Sequence, residues 1–515
     1  MPYQTIRLYY MESFAPLVLL LLFIFIILQI MQPFLRKIGI NFVNPLSLVF
    51  SYLFKPPLKD DGMMNKQDEI KLFSRFNDGL LIDGKSKRLS QKESFNHLAL
   101  ISRTGGGKTT SYVLPNIYKL ASEKCSMVIT DLSGEIFEKT SGYLKQQGFK
   151  IYVLDPKNLT ESIRYNPLEY AKDSMSIDMV SDILISSAGI KGTRAEDKIW
   201  SDGAKNFLSI LIKVLNDTKD KRYMNLANLR YMLNNFGSSG EPLDEFVKRY
   251  SDDKTFSEYT GFVNGNPKTI QGFISTANIA LSPIGINDNL EKLTYSHTFD
   301  FKKLREEKSV VFIRIEQQYQ EQYSFLLNLF YSQLFNVMMD KLPSKDDYSI
   351  YCLLDEFGNM QIPKFSSVIT TIRKYKVSIS IILQNLSQIE SKYSKEEANT
   401  ILNGGIATKL IYSGADLDLA TKLEKMFGHK KSLEKDAQGQ FFYEKNDVMS
   451  VSEIRTIKDD EAIFVYANKK PLKLNIKPYY KDFMYKSFSN IRPYKIENQK
   501  NNDNISYVDL NNVEF

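Results

Sequence analysis

The amino-acid sequence predicts an α/β protein built on a doubly wound, mostly parallel sheet that an all-helical segment interrupts. Three observations predict this class. An apolar, strand-like run at residues 97–101 is followed at once by a glycine-rich loop and a helix-like run. Strand-like runs at 126–130 and 150–154 flank a stretch long enough for a crossover helix, which makes a parallel βαβ unit. After a long region with helical periodicity, strand-like and helix-like runs alternate again from residue 309.

The glycine-rich loop reads SRTGGGKT over residues 102–109. It matches the phosphate-binding template G-x-x-x-x-G-K-[ST], except that Ser102 stands at the position of the first glycine. Glycine lets successive backbone N–H groups approach phosphate oxygens without a Cβ clash. The alternative is a glycine turn beside a surface lysine, and the strand before the loop and the helix after it favour phosphate binding. The candidate nucleotide-binding residues are Thr104, Gly105, Gly106, Gly107, Lys108, Thr109 and Thr110.

Two adjacent acids, Asp355 and Glu356, follow the apolar run 351–354 and are the candidate catalytic partners of this loop. Ligands of parallel sheets bind at the carboxyl ends of the strands, where both features lie. We expect Lys108 to contact the β- and γ-phosphates of ATP, while Thr109 and Asp355 hold Mg²⁺. Glu356 would polarise the attacking water. The alternative for the acid pair is a helix N-terminus that favours negative charge.

Two further residues are candidates for coupling hydrolysis to movement. Gln384 ends the strand-like run 377–383, where its amide could sense the γ-phosphate; a capping polar residue is the alternative. Arg373 lies in the turn TIRKYK (371–376) and could be an arginine finger that reaches the nucleotide of the next subunit. A solvated basic patch is the alternative for Arg373.

The composition is that of a folded protein, with 43% hydrophobic and 25% charged residues among 515. The formal charge of +7 is small for this length and does not by itself identify a nucleic-acid partner. Cys125 and Cys352 are the only cysteines, and both lie in apolar runs. This pattern suits buried thiols in a reducing compartment, and with three histidines a zinc site has little support.

The first 58 residues predict a membrane anchor. Residues 14–31 are uncharged and apolar, long enough to be a transmembrane helix rather than a cleaved signal peptide. Arg36 and Lys37 follow directly, which places the rest of the chain in the cytoplasm. A second apolar stretch, 38–54, contains two asparagines and a proline and favours an interfacial or re-entrant segment over a second span. We therefore expect a single-pass protein of the inner, cytoplasmic membrane.

The pattern along the chain divides it into five parts. They are a membrane anchor (1–58), a polar linker (59–91), a nucleotide-binding domain in two pieces (92–168 and 290–490), an inserted all-α domain (169–289) and a flexible C-terminal tail (491–515).

Several stretches resemble one family. They are TGGGKT (104–109) with VLPN (113–116), DLSGE (131–135), TSGY (140–143), VLDP (153–156), RYNPL (164–168), LLDEF (353–357), IILQN (381–385) and the segment 406–412. In this order and spacing they resemble the type IV secretion coupling proteins, the TraG/TraD-type conjugation ATPases. The resemblance runs from His97 to about residue 480. Two features depart from it: Ser102 replaces a glycine or alanine, and the membrane end lacks a pair of long spans.

The resemblance implies a RecA-like P-loop motor domain with an inserted all-α domain and an N-terminal membrane anchor. It implies a homo-hexameric ring at the entrance of a type IV secretion channel, where ATP and Mg²⁺ drive relaxase-bound single-stranded DNA, or effector proteins, into the channel. The roles given above to Lys108, Thr109, Asp355, Glu356 and Gln384 match the family's. By the same analogy the inserted domain reads the substrate. The alternatives are a double-strand DNA pump of the FtsK/HerA kind and a membrane scaffold switched by nucleotide.

Overall fold

The computed structural model describes residues 62–188, 195–236, 241–320, 322–435, 441–498 and 504–510. The predicted transmembrane helix at 14–31 and the apolar stretch at 38–54 lie outside these residues. Within the described ranges, no helix is both long and apolar enough to cross a membrane. The anchor therefore stays a prediction.

A nine-stranded sheet organises the described chain, and its strand order is β11-β10-β7-β1-β6-β5-β2-β4-β3. All pairs from β7 to β3 are parallel, while β10 pairs antiparallel with both β7 and β11. The α/β class with a mostly parallel sheet is thus confirmed. The strands are β1 (Leu98–Ile101), β2 (Cys125–Thr130), β3 (Lys150–Leu154), β4 (Ser309–Ile313), β5 (Ser349–Leu354), β6 (Val377–Leu383), β7 (Thr408–Ile411), β8 (His429–Lys435), β9 (Phe441–Asp447), β10 (Glu461–Tyr466) and β11 (Leu472–Asn475).

Helical residues belong to the hydrophobic core on each side of the sheet. The described ranges contain nineteen α-helices. They are α1 (Lys66–Leu72), α2 (Gln91–Ser94), α3 (Leu114–Leu120), α4 (Glu135–Gln146), α5 (Ser174–Ser187), α6 (Ala195–Asp217), α7 (Leu226–Asn234), α8 (Glu241–Tyr250), α9 (Asp253–Val263), α10 (Pro267–Ile286), α11 (Asp288–Tyr295), α12 (Lys303–Glu306), α13 (Ser324–Asp340), α14 (Phe365–Thr371), α15 (Leu386–Lys392), α16 (Lys395–Asn399), α17 (Leu417–Phe427), α18 (Val451–Arg455) and α19 (Phe483–Ser489).

Strands β8 and β9 pair with each other in a separate two-stranded sheet. Residues 429–446 belong to a different compact unit from residues 62–428 and the chain from 447 onward.

Alternate residues of β1 face two separate hydrophobic cores, as expected for a strand buried on both sides. Leu98 and Leu100 belong to the core that includes α3 and α4. Ala99 and Ile101 belong to the core that includes α5, α6 and α13. Cys125 and Cys352 are buried and free, which agrees with the prediction of core thiols.

The register of the parallel strands brings three strand ends to one edge of the sheet. Ile101, the last residue of β1, pairs with Leu383, the last residue of β6. Leu354, the last residue of β5, pairs with Ile381, two residues before the end of β6. The glycine loop, Gln384 and Asp355 therefore leave the sheet side by side.

Between β3 and β4 the described chain is helical, and helices α5 to α11 lie there. The longest, α6, packs against α5 and α10, and α10 also packs against α7. These helices share one hydrophobic core with the sheet, in which Leu211 and Leu229 lie with Val311. The domain boundaries predicted at residues 169 and 289 stay predictions.

The polar linker expected over 59–91 packs into the core in part of its described range, 62–91. Leu80, Leu81 and Ile82 are fully buried in the sheet's core. The side chain of Asn116, also fully buried, binds both backbone groups of Leu81 at 2.8 Å. The expectation was wrong because this short apolar run lies among polar residues and has no periodicity of its own, and only a tertiary partner explains it.

The flexible tail expected over 491–515 is anchored in both of its described stretches, 491–498 and 504–510. Ile496 is buried in the core beside α4 and α19. Val508 and Leu510 are 1% and 3% exposed and belong to the core that includes the inserted helices. The asparagine-rich composition concealed these apolar positions, whose partners lie more than 200 residues away.

Candidate nucleotide-binding site

The glycine loop after β1 has the backbone shape that its sequence requires. Gly105 and Gly107 have φ angles of 76° and 81°, in the left-handed region that glycine alone enters without strain. A Cβ on Gly106 would lie 2.2 Å from Ser102 Oγ. The serine hydroxyl thus occupies space that Gly106 leaves open. The backbone N–H of Ser102 donates to Leu383 O at 3.0 Å, which continues the pairing of β1 with β6. A serine therefore fits where the template has glycine.

The loop leads into a helix whose first N–H groups can bind an anion. A π-helical turn, Thr109–Val113, precedes α3, and Ser111 N donates to Gly107 O at 2.8 Å. The Thr110 hydroxyl donates to the same carbonyl at 3.3 Å. The Thr109 hydroxyl makes no hydrogen bond within the described ranges and lines the adjoining cavity. It is thus available to a ligand.

Lys108, Glu356 and Gln384 meet at the edge of the sheet. Lys108 Nζ contacts Glu356 Oε1 at 3.2 Å, and Gln384 Nε2 donates to Glu356 Oε2 at 3.0 Å. Glu356 has a φ angle of 52°, a left-handed conformation that costs free energy in a residue with a Cβ and that recurs at functional sites. Gln388 Oε1 accepts from Gln384 N at 2.9 Å and so holds the start of that turn.

Asp355 is a half-buried acid with a raised pKa. Burial raises the pKa of this carboxyl to about 6, the charge of Glu356 adds to the rise, and Lys108 opposes it. Asp131, at the end of the neighbouring strand β2, is buried, and burial raises its pKa although it accepts hydrogen bonds from Ile136 N and Phe137 N. The edge of the sheet thus carries several carboxyl groups next to a single paired lysine.

A cavity of about 520 Å³ adjoins the loop. Residues 105–111 form one wall, whereas Thr104 is exposed and lies outside the lining. Asp355, Glu356 and Gln384 do not line it either, and Lys108 joins the cavity to these side chains through its contact with Glu356.

Apart from Glu135, the rest of the cavity lining comes from residues that sequence reasoning missed. They are Asp459, Asp460, Ile476, Pro478, Tyr480 and Lys481. Tyr480 is 52% exposed, and its ring meets that of Tyr479 edge to face, with centroids 5.6 Å apart. An exposed aromatic ring in the lining can contact a planar ligand. The one signal in the sequence is the run KPYYK (477–481) after the last strand, and nothing in its spacing connects it with the glycine loop.

Arg373 lies at the end of the sheet where the parallel strands begin, opposite the end that carries the glycine loop. It is exposed in the turn Ile372–Tyr375, directly before β6 begins at Val377. Burial lowers the pKa of His97, the residue before β1, to about 3, and the positive charge of Arg373 contributes to this lowering. Gln384 is at the far end of β6, roughly 20 Å away at about 3.3 Å per residue. Within one chain, Arg373 and the cavity are thus separated by the length of the sheet.

The donor atoms near the loop fit a hard divalent cation such as Mg²⁺. Thr109 offers a hydroxyl and Asp355 a carboxylate, and Mg²⁺ commonly combines one or two such protein oxygens with phosphate and water. Among the described residues, no group of three or more His, Cys, Asp or Glu could enclose a metal ion. These residues therefore fit a cation that arrives with a phosphate ligand.

The strand, glycine loop and helix, together with the paired lysine and the acids at the ends of neighbouring strands, define a P-loop nucleotide-binding protein. The sequence matches the family described as "Type IV secretory system Conjugative DNA transfer" over residues 57–504, and the chain belongs to that family.

Curated relatives and solved structures agree with this assignment. The chain is 26% identical over 417 residues to "Protein VirD4" of Rhizobium rhizogenes, covering 75% of this chain and 59% of the relative. It is 23% identical over 319 residues to "Conjugal transfer protein TraG" of Rhizobium radiobacter, covering 59% of this chain and 48% of the relative. The chain thus spans about three fifths or less of the length of these relatives.

Among solved structures, the chain is similar to the plasmid coupling protein TrwB, with a TM-score of 0.63 and 14% sequence identity. The match covers 81% of this chain and 93% of TrwB, which was solved in complex with ADP and Mg²⁺. At this identity the likeness shows a shared fold.

The raised pKa of Asp355 makes stability depend on pH. The folded chain holds this proton more tightly than the unfolded chain, because the pKa rises from 3.8 to about 6. The resulting stabilisation is complete below about pH 4 and is lost as the pH rises through about 6. We expect Asp355→Asn to raise the free energy of unfolding by about 1–2 kcal/mol at pH 7.5 and by less at pH 4.5. Urea unfolding without Mg²⁺ or nucleotide measures this, and an equal effect at both pH values would contradict it.

Proposed function

We propose that the chain is a membrane-anchored ATPase with a RecA-like P-loop motor domain. It uses ATP hydrolysis to drive DNA, as a relaxase-bound single strand, or protein substrates into a type IV secretion channel. The observation that carries this proposal is the contact of Glu356 with both Lys108 and Gln384 beside the glycine loop. Membership of a conjugative DNA transfer family supports the substrate, and the complex of TrwB with ADP and Mg²⁺ supports the ligands.

The contacts of Glu356 suggest how its charge is used. Lys108 is 8% exposed and pairs with Glu356, so its charge is held at the mouth of the loop. Phosphates bound by the loop would compete for this ammonium and release one oxygen of Glu356. Gln384 keeps hold of the other oxygen and so orients the carboxylate as a base for a water molecule. Thr109 and Asp355 would hold Mg²⁺, which would neutralise charge on the phosphates when bound.

Gln384 connects Glu356 with helix α15 through hydrogen bonds. Its side chain touches Glu356, and its backbone N–H is held by Gln388 in helix α15. A change in the contacts of Glu356 on hydrolysis would therefore reach α15 directly. This supports Gln384 as the sensor of the γ-phosphate.

The partners follow from the same proposal. The chain acts with single-stranded DNA and a relaxase, or with effector proteins, and with components of the secretion channel. It assembles as a homo-hexamer and is held in the inner membrane by residues 14–31, with the remainder in the cytoplasm. Recovery of the full chain with washed membranes tests the anchor.

Two alternatives remain distinct from this proposal. A double-strand DNA pump of the FtsK/HerA kind should lack a helical insertion as large as α5 to α11, which favours the coupling protein. A membrane scaffold switched by nucleotide would bind nucleotide without turnover. Phosphate release measured without DNA, with single-stranded DNA and with duplex DNA separates the three.

Glu356→Gln should uncouple binding from hydrolysis. The amide keeps the shape of the side chain but cannot accept a proton, so we expect turnover with single-stranded DNA to fall about 10²- to 10⁴-fold. Nucleotide affinity should fall by no more than about threefold, because the loop is unchanged and phosphates no longer compete with a carboxylate for Lys108. Glu396→Gln, at an exposed position of α16, is the control and should turn over normally. Turnover of Glu356→Gln within tenfold of the original chain would remove Glu356 from the catalytic role.

Tyr480→Ala should weaken nucleotide binding. We propose that the exposed ring stacks on the nucleobase across the cavity from the loop, a contact typically worth about 1–3 kcal/mol, and we expect roughly a tenfold loss of affinity. Tyr480→Phe keeps the ring and should bind normally. Phe483→Ala removes a ring that is 88% exposed and outside the cavity lining, and serves as the matched control. Titration with a fluorescent ATP analogue measures this, and equal affinities for all four chains would exclude stacking.

Arg373 is proposed to act on the nucleotide of the neighbouring subunit, because its own cavity is across the sheet. Chains carrying Arg373→Ala or Lys108→Ala should each be inactive. In a 1:1 mixed ring, about a quarter of the sites would combine an intact Lys108 with an intact Arg373 from the neighbour. We therefore expect the mixture to regain up to about a quarter of the original ATP turnover. If the mixture regains no ATP turnover, or if Arg373→Ala alone is fully active, Arg373 is not an arginine finger. Lys374→Ala is the control and should turn over normally.

A further inference from the structure

The first described helix, α1, and the four residues after it present basic and apolar side chains to solvent. Ile70 is 74% exposed and Phe76 is 88% exposed. The exposed basic residues of the same stretch are Lys66, Lys71 and Arg75. The guanidinium of Arg75 lies over the ring of Phe76, 5.5 Å from its centroid. We call these five residues the basic-apolar patch.

The charges of α1 are sorted between its two sides. Residues 66, 67, 70 and 71 are exposed, whereas 68, 69 and 72 are partly buried, which is the periodicity of a helix with one side against the fold. Both acids of the helix, Asp68 and Glu69, belong to the partly buried side. Glu69 pairs with Lys87, and Asp68 Oδ2 accepts from Asn65 Nδ2 at 3.1 Å. The outward side of α1 therefore carries basic and apolar side chains and no acid.

The basic side chains of the patch have no acidic partner in the part of the chain that the structure describes. Lys66, Lys71 and Arg75 form no ion pair there, whereas Lys473 of β11 pairs with Glu461 at 2.9 Å. Unpaired cations beside exposed apolar side chains are typical of helices that lie at a membrane surface, where the apolar groups enter the interface and the cations contact headgroups. The charge of the patch is thus complementary to an anionic surface.

The patch lies near the end of the sheet where the parallel strands begin. Met64 N donates to Pro471 O at 2.8 Å, in the turn between β10 and β11. Tyr466, the last residue of β10, pairs with the first residue of β7. The same turn carries two exposed lysines, Lys469 and Lys470. The glycine loop is at the opposite end of the sheet, so a surface bound here would leave the nucleotide cavity open.

The position of the patch in the chain favours a bilayer as the partner. The predicted transmembrane helix (14–31) and the predicted interfacial stretch (38–54) both precede it, and Gly62 comes eight residues after the second of them. An extended chain spans at most about 3.6 Å per residue, so eight residues keep Gly62 within roughly 29 Å of residue 54. Two apolar side chains bind a bilayer weakly when free. A short tether raises their effective concentration at the surface and makes such a weak contact persistent.

We propose that the basic-apolar patch docks on the surface of an anionic bilayer. Ile70 and Phe76 enter the interfacial region, while Lys66, Lys71 and Arg75 contact anionic headgroups. The inference rests on the membrane anchor of the proposed function and goes beyond it, because it gives the folded nucleotide-binding domain a membrane contact of its own. The contact turns the beginnings of the parallel strands towards the membrane and the glycine loop away from it.

The test measures the depth of one position in vesicles that hold the full chain. Gln67→Cys places a thiol on the outward side of α1 and leaves the patch intact, and a membrane-impermeant fluorescent maleimide labels it after reconstitution. Cys125 and Cys352 are fully buried and should not react. In vesicles of phosphatidylglycerol and phosphatidylcholine with brominated acyl chains, we expect the label to lose about half of its fluorescence or more. Phe483→Cys, at an 88% exposed position three residues after Tyr480 of the cavity, is the control and should keep its fluorescence.

Patch variants in the Gln67→Cys chain separate the two contributions. Ile70→Ser with Phe76→Ser should restore most of the fluorescence, because the apolar groups no longer enter the interface. Replacing Lys66, Lys71 and Arg75 together by glutamine should do the same. Replacing the exposed lysines Lys395, Lys425 and Lys486 by glutamine removes the same charge elsewhere and should leave the quenching unchanged. Thermal unfolding that matches the original chain confirms that each variant is folded.

Flotation of the vesicles separates failure of the patch from failure of the anchor. A chain that floats with the vesicles but shows no quenching at position 67 would overturn the docking and leave the anchor in place. A chain that does not float lacks the anchor, and the proposal falls with it. Quenching that is equal in vesicles of phosphatidylcholine alone would overturn an anionic partner, and quenching that survives both sets of patch substitutions would overturn the assignment to these residues.

Discussion

The contact between Lys108 and Glu356 joins residues 248 positions apart, and it exists because parallel strands end together. β1 lies beside β6, and β6 lies beside β5, so the residues that follow these strands leave the sheet at one edge. The lysine of the glycine loop, the acid pair after β5 and Gln384 after β6 meet there. An antiparallel partner at any of these positions would place its end at the opposite edge, where Arg373 lies. The direction of the strands, more than any single residue, therefore creates the site.

Concentrating acids at this edge lowers stability. Asp131 is buried and Asp355 is half-buried. Loss of hydration raises the pKa of each, so ionising them costs free energy that the fold must supply elsewhere. Glu356 adds a left-handed backbone conformation. Lys108 and Gln384 offset part of this cost by binding Glu356. Such an arrangement is expected where a cation and a phosphate ligand complete the charge balance.

The docking of residues 504–510 on the inserted helices depends on hydrogen bonds between uncharged groups. Asn228 is a buried polar side chain that must find partners, and an extended backbone provides both. At the glycine loop the partners of Glu356 include the opposite charge of Lys108, whereas Asn228 is satisfied by hydrogen bonds to uncharged backbone groups. In both places a polar side chain takes its partners from distant parts of the chain.

The sequence by itself determined the α/β class, the glycine loop between strand and helix, and the acid pair at the end of β5, because these depend on local patterns of apolar, glycine and charged residues. It also predicted Gln384 at the end of β6, although the catalytic and binding roles stay proposals. Only the tertiary structure decided that Tyr480 faces the loop, that Leu81 packs in the core and that Val508 docks on the inserted helices. Each of these positions depends on a partner far along the chain. Local periodicity carries no information about such partners, since packing in three dimensions chooses them.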